Sequence, residues 1–351
     1  MATDVRTFVY KALLHGLYAT GAYRLARPAY AGVGGILTFH RVVEPSAGFS
    51  PNAALAVTPA FFEAVITHLM EGGWSIVTMT ELCRHIRSGS RADRLVALSF
   101  DDGYRDNFDN AFAICQRHKV PMTVNVTTGF INGTSFPWWY ALEELLRRRN
   151  RVAVTTPEGV LTLSAGTSAQ KAHAFRRLAD RFDHAGNAEA LRLLDDLELR
   201  NGVDLRSHCR GLMMSWDMVR EMAASPYGEI GAHTETHPAL RTLDAATAEA
   251  ELRESRAVLA AMLGRPVDHV AFPFGGRQAV GGRELDLAAK LGFATAVTTR
   301  HGTLQREHRD HLCALPRLTV NGLHQSLGTI DVFLSGSSTA LANRFRRVVT
   351  Q

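Results

Sequence analysis

Ser99-Phe100-Asp101-Asp102-Gly103 sets two adjacent carboxylates at the end of an apolar run, Leu95-Val96-Ala97-Leu98. A short unbroken apolar run of this kind predicts a buried strand, and Gly103 lets the chain turn sharply beyond it. Successive strand side chains point to opposite faces, so Asp101 and Asp102 are expected to aim in different directions. One can then bind a metal while the other moves protons. Two neighbouring like charges are costly unless a cation or a hydrogen-bond network offsets them. The plainer alternative is a turn, because Asp-Gly is a common turn pair. A second phrase, Gly231-Ala232-His233-Thr234-Glu235-Thr236-His237-Pro238, follows the strand-like run Tyr227 to Ile230. Its flanking glycine and proline favour a loop over a helix interior, and either geometry lets both imidazoles converge on one ion. Two histidines and a carboxylate make an open catalytic metal site, with positions left for water or substrate. Fifteen histidines are scattered along the chain, so the pair gains its weight from the Asp-Asp-Gly strand end.

With Phe272-Pro273-Phe274-Gly275 added, these phrases resemble the successive motifs of the polysaccharide deacetylases, carbohydrate esterase family 4 with its nodulation-factor deacetylase homology domain. The segment Pro121 to Phe130 is similar to that family's third strand, Leu315-Pro316-Arg317-Leu318 also fits, and the likeness runs from Ile36 to Val320. The resemblance implies an α/β fold, a distorted (β/α) barrel of parallel strands. It implies one divalent metal ion, zinc before others, held by Asp102, His233 and His237. Asp101 becomes the general base, and the Phe274 N–H a donor to the substrate oxygen. Two departures matter. The arginine expected two residues before the motif proline is Ala271, which leaves Arg277 and Arg317 as candidate partners for the base. The C-terminal motif histidine falls out of register at His324. Ile36 to Val42, however, is similar to the first strand of the biofilm poly-N-acetylglucosamine deacetylases, which implies His40 as the general acid and His324 as its competitor.

The implied reaction is removal of N-acetyl groups from amino sugars of a poly- or oligosaccharide or a lipid-linked glycan. Two alternatives stand beside it: release of another sugar N- or O-acyl group, and a carbohydrate-binding protein with a silent site. Ala271 favours the silent reading, whereas the four retained residues Asp101, Asp102, His233 and His237 oppose it. Adjacent aspartates do not match the Asp-x-Asp of haloacid-dehalogenase-type phosphatases.

The rest of the chain must position these groups. At 351 residues it is long enough for a barrel-sized core with an insertion. A content of 46% hydrophobic and 21% charged residues is globular rather than disordered. The net charge of +5 is spread, with no nucleic-acid motif. Cys83, Cys115, Cys209 and Cys313 show no paired spacing and read as free thiols of a reducing compartment. Thr58-Pro59 predicts a helix ended by Gly72-Gly73, and Ile76 to Met79 a strand. Asp106 and Asn107 are expected to cap the helix after Gly103. Asp244 should cap a helix to Leu263, and Glu284 to Leu291 a helix before the strand Ala294 to Val297.

Residues 34–325 make the catalytic domain on this reading, broken at about 136–213 by a helical insertion. Trp138, Trp139 and Tyr140 at its start form either a sugar-stacking platform or the anchor of the insertion. Residues 1–33 are an N-terminal amphipathic segment in which Phe8, Leu13, Leu14, Leu17 and Tyr18 recur at helical spacing, and 326–351 a basic tail. Both ends read as packed or solvated faces, with peripheral membrane contact as the sharper alternative. The apolar stretch is a poor signal peptide, so a cytoplasmic or membrane-peripheral location is expected. The oligomeric state is not legible.

Overall fold

Seven strands, each paired in parallel with its neighbours, carry the site. The computed structural model describes residues 2–89 and 93–350. The strands are β1 (Gly34–Phe39), β2 (Leu95–Phe100), β3 (Met122–Val126), β4 (Gly228–Ala232), β5 (His269–Ala271), β6 (Thr295–His301) and β7 (Leu315–Thr319). Neighbours follow chain order from β2 to β7, and β1 closes the ring by pairing with both β2 and β7. The fold is a closed, distorted (β/α) barrel. Closure is uneven, because β1 matches β2 from Gly34–Leu95 to Phe39–Phe100 but meets β7 only at Leu37–Leu318 and Thr38–Thr319. Strands covered on both faces need apolar residues throughout rather than alternation. Every residue of β1, β2 and β3 is buried, and Phe39, Phe62 and Phe100 pack ring on ring behind them.

The connecting helices begin at their capping residues. The Thr58 side chain accepts from the Phe61 N–H at the start of Pro59–Glu71, and Asp244 caps Ala245–Leu263, which ends at left-handed Gly264. Near Glu284 the helix spans Gly282–Lys290. Two expectations are corrected. Only Ser75–Ile76 is extended where a strand through Met79 was expected, because Thr78 and Glu81 form a capping box that opens the helix Met79–Arg87. Asp106 makes no capping bond. Its carboxylate instead accepts from Arg41 Nε at 2.7 Å and Val42 N–H at 2.8 Å, while Asn107 Nδ2 donates to the His40 carbonyl at 2.6 Å. The helix is π-wound over Asn107–Phe112, an irregularity frequent beside functional sites.

Between β3 and β4, residues 136–213 add the helices Trp138–Arg148, Ser168–His184, Asn187–Asn201 and Leu205–Gly211. They also add an antiparallel hairpin, Arg151–Thr156 with Gly159–Ser164, that a purely helical reading lacks. This insertion buries its own core around Leu142, Leu146, Val152, Phe182 and Leu194. Helices α1 (Ala2–Ala19) and α2 (Tyr23–Tyr30) lead into β1. On α1 Leu14 is buried and Leu17 packs on the core, whereas Leu13 and Tyr18 are exposed; the Phe8 side chain lies outside the described residues. Beyond residue 326, where a basic tail was expected, the helices Leu327–Leu334 and Ser337–Ala342 pack largely buried against the barrel. All four cysteines are free. Among the described residues no helix is long and apolar enough to cross a membrane.

Candidate active site

The candidate residues gather just beyond the C-terminal ends of the strands. Asp101 follows β2 and keeps its N–H on the Phe39 carbonyl at 3.1 Å. Asp102 turns left-handed, with φ of 76°. That turn, rather than simple strand alternation, sends the two carboxylates apart.

Asp101 is held inside the barrel. Arg317, fully buried on β7, donates from Nη1 to Oδ1 at 2.8 Å and from Nη2 to Oδ2 at 2.7 Å. The guanidinium is itself fixed, with Nε on the Thr298 carbonyl at 2.9 Å and Nη1 on Ser99 Oγ at 3.2 Å. Asn125 Nδ2 adds a third donor to Asp101 Oδ1 at 2.9 Å. Burial pushes the Asp101 carboxyl up, but the charge of Arg317 and then of His233 outweighs it and holds the group well below the usual carboxylate range. Of the two candidate replacements for the missing motif arginine, Arg317 makes the pair. Arg277 instead offers its carbonyl to Arg241.

Asp102 faces the two histidines. Its Oδ1 lies 3.3 Å from His233 Nε2 and 3.2 Å from His237 Nε2, yet no hydrogen bond reaches this buried oxygen. His233 Nδ1 sits 2.7 Å from the Ala271 carbonyl. A carbonyl only accepts, so Nδ1 carries a proton, and in the neutral ring Nε2 turns a lone pair towards the carboxylate. That contact is repulsive unless a proton or a metal cation stands between the two; burial pushes the His233 imidazole down, but the charges of Asp101 and Asp102 outweigh it and raise the group. At metal–ligand distances of about 2.0–2.1 Å, tetrahedral ligand atoms are about 3.3 Å apart. Asp102, His233 and His237 therefore fit a divalent cation, with the backbone contact of His233 supplying the outer support such ligands need.

The histidine loop is braced from two sides. The Glu251 carboxylate, on the helix Ala245–Leu263, accepts from the Glu235 N–H at 2.9 Å, the Thr236 N–H at 2.8 Å and Thr236 Oγ1 at 2.5 Å. Gly129 N–H holds the Glu235 carbonyl at 2.8 Å. Asp102, Thr234, His237 and Phe274 all have positive φ, half of the eight described non-glycine residues that do. Such conformations cost about 1–3 kcal/mol each and persist only where the surroundings enforce them.

Aromatic rings wall the site. The His237 ring centre lies 5.6 Å from Phe130, 5.2 Å from Trp139 and 5.0 Å from Phe274. Trp139 is buried with Nε1 on Tyr104 Oη at 3.0 Å, whereas Phe274 stands 48% exposed at the mouth. The Phe274 carbonyl takes Thr299 Oγ1 at 2.6 Å, and no described residue accepts from its N–H. Trp138 stands one ring further out, edge-on to Trp139 at 5.5 Å and flat on Phe182 of the insertion at 5.6 Å, so it bridges the aromatic wall and the insertion core.

The two rival histidines are separated. His40 follows β1, and the Phe39–Phe100 register sets it level with Asp101. It is half-buried, its carbonyl gripped by Asn107. Burial pushes its imidazole down, and the charges of Asp102 and Asp101 recover only part of that. His324 packs edge-on against Tyr10 of α1 at 5.5 Å, beside Lys11 and His15. Asn125 and Glu251 were not singled out in the sequence, and Asp106 and Asn107 were named there only as helix caps. Asn125 alone left a local signal, an amide within the apolar strand Met122–Val126. Gly231 opposite it must stay small, since a Cβ there would lie 2.3 Å from Asn125 Oδ1.

The polysaccharide deacetylase family model matches residues 88–296, more than half of the chain. The chain belongs to the polysaccharide deacetylase family. It is thus a hydrolase of the deacetylase class, acting on carbon–nitrogen bonds other than peptide bonds. Solved deacetylases share the fold. The Streptococcus pyogenes deacetylase PplD, in complex with acetate, is 18% identical with a TM-score of 0.56, over 83% of this chain and 94% of that one. IcaB from Ammonifex degensii is 16% identical with a TM-score of 0.55, over 87% and 98%. The de-N-acetylase from Aggregatibacter actinomycetemcomitans is 15% identical with a TM-score of 0.55, over 85% and 98%. No curated protein matches the chain. Within this polysaccharide deacetylase, the matched segment holds Asp101, Asp102, His233 and His237, whereas His40 and Arg317 come from strands outside it.

Proposed function

We propose that the protein removes N-acetyl groups from amino sugars of a poly- or oligosaccharide or a lipid-linked glycan. The observation that carries the reading is the pairing of an arginine-locked carboxylate, Asp101, with the adjacent Asp102–His233–His237 donor set. Asp102, His233 and His237 would hold a divalent cation, zinc being the first candidate, which when bound polarises an acyl carbonyl and acidifies water. Asp101 has both oxygens engaged by Arg317 and stays ionised, so it is kept out of the ligand set and left to accept a proton from water. An amide nitrogen cannot leave as an anion, and His40, level with Asp101 across β1 and β2, gives it a proton. The unused Phe274 N–H supplies a donor where the carbonyl oxygen gains charge. The Trp139 and Phe274 rings flank the acyl group, and the exposed Phe274 face suits the C–H side of a sugar ring.

The test is acetate release from a panel of N-acetylated glycans, each run with and without chelator and with Asp101→Asn as control. Release that stops with chelator and in the variant is the expected result. Release of formate or another acid in place of acetate moves the substrate to a different acyl group. No release from any acylated glycan overturns the reading.

A further inference from the structure

At the N-terminal end of the barrel, opposite the site, a cleft of about 570 Å³ opens between α2, the start of β1 and the C-terminal segment. Five guanidinium groups line it: Arg24, Arg27, Arg94, Arg306 and Arg347. Two carboxylates, Asp93 and Glu307, share the lining. Among the described residues the one ion pair that any of the five makes is Arg347 with Glu307, at 3.9 Å. Arg94 is spent on the Gly72 carbonyl, Arg24 on the neighbouring Tyr23 hydroxyl, and Arg27 rests over the Trp74 ring at 5.9 Å. The lining of the cleft therefore carries five guanidinium groups against two carboxylates, a surplus of positive charge.

Apolar side chains stand beside it. Leu25, next to Arg24, is 84% exposed, and Phe345, two residues before Arg347, is 69% exposed. The two segments are tied together: Tyr30 Oη donates to the Phe345 carbonyl at 3.1 Å, and Gln305 Nε2 to the Tyr30 carbonyl at 2.9 Å. Arg344 and Arg346 flank Phe345 on the same tail. Exposed large apolar residues among excess arginines match a surface that inserts rings at the headgroup boundary while meeting negative charge.

We propose that this end of the barrel docks on an anionic lipid bilayer, with the arginine cleft receiving lipid phosphate and with Leu25 and Phe345 entering the interface. The proposal is independent of the reaction assigned above. It has a consequence for orientation. The cleft borders Gly34 and Arg94, where β1 and β2 begin, and the catalytic candidates follow their last residues, about 20 Å further on at the rise of a strand. The mouth is then turned away from the membrane, towards a glycan that stands off the surface.

The full chain is sedimented with vesicles of phosphatidylcholine alone and of phosphatidylcholine with phosphatidylglycerol, at rising salt. Binding is expected only with the anionic lipid and weakens as salt rises. Arg24→Gln with Arg27→Gln should reduce it about thirtyfold, at about fivefold for each basic residue near the surface. Phe345→Ser should weaken binding while leaving its salt dependence unchanged. Unchanged thermal unfolding verifies that the variants are folded. Equal binding to neutral vesicles, or an unaffected double variant, overturns the proposal. Inorganic phosphate bound in the cleft with no vesicle binding also overturns it, as does arginine-dependent capture of duplex DNA in place of vesicles.

Discussion

Replacing Arg317 with methionine tests the heart of the site, because it strips both donors from Asp101 while keeping the volume of the side chain. Arg317 is fully buried, and its carboxylate partner is only 3% exposed. Removing one member of a buried ion pair costs about 3–5 kcal/mol, because the other charge is left uncompensated. Asn125 keeps one hydrogen bond to Oδ1, which places the expected loss at the lower end, about 3 kcal/mol. The chemistry should suffer in a distinct way. With the guanidinium gone, the largest influence opposing burial is lost and the Asp101 carboxyl rises, so less of the base is ionised at a given pH. The acid limb of the kcat/KM profile should therefore move to higher pH, and kcat should fall by about 10²-fold or more as the carboxylate loses its orientation. Arg317→Lys keeps the charge but not the fork, and should shift the limb less than methionine does. The assay is acetate release from an N-acetylated glycan across pH, alongside urea unfolding. A methionine variant with the wild-type acid limb would show that Arg317 does not set the state of Asp101, whatever its stability.

Asp102→Asn and His237→Ala should each abolish binding of zinc by elemental analysis, whereas Asp101→Asn should retain the metal and lose turnover; metal loss in Asp101→Asn would reassign the two carboxylates. His40→Ala should lower kcat by about 10²–10⁴ with KM little changed, and His324→Ala should do neither; the reverse outcome moves the acid to the C-terminal loop. Glu229, on β4, supports a pH prediction for stability. Burial raises its carboxyl, but His269 and the hydroxyls of Thr80 and Thr123 outweigh that and hold it at about 2. A carboxyl depressed from 4.5 to about 2 contributes up to about 3 kcal/mol above its unfolded pKa, lost as pH falls through the folded one. Urea midpoints of the wild type should thus fall between pH 5 and 2 more steeply than those of Glu229→Gln.

Local phrases made half of this site legible. Asp101 and Asp102 stand side by side at a strand end, and His233 and His237 share one short loop, so residue type and spacing were visible together. Buried apolar runs such as Leu95–Phe100, whose end is also the site, pointed to a parallel α/β architecture, and the family resemblance supplied the barrel. The supports were hidden because their partners lie far off in the chain. Asn107 grips the His40 carbonyl across 67 residues, and Arg317, which the sequence offered only beside Arg277, reaches Asp101 across 216. Glu251 looks like any helical glutamate until the loop it carries is folded against it. Elsewhere a signal was present and outweighed. Thr78 and Glu81 spell a capping box, but the apolar Ile76 and Val77 before them read as a longer strand. The β-branched residues Val152, Val154, Thr155 and Thr156 favour the hairpin strand inside charged surroundings that suggested helix.

The ring shuts at a seam between its first and last strands. β1 and β7 meet through two register partners, and they deliver His40, the proposed acid, and Arg317, the partner of the proposed base Asp101. As the chain leaves the ribosome, β1 can lie along β2 early, but its other edge stays open until β7 emerges. For all that time an incomplete sheet presents unpaired backbone, a state prone to pairing with other chains. Contacts so distant along the chain also slow folding. A chain cut back to the segment typical of its family would keep the ligands and lose the lock, which makes the seam a built-in checkpoint: the base is set only when the last strand has arrived.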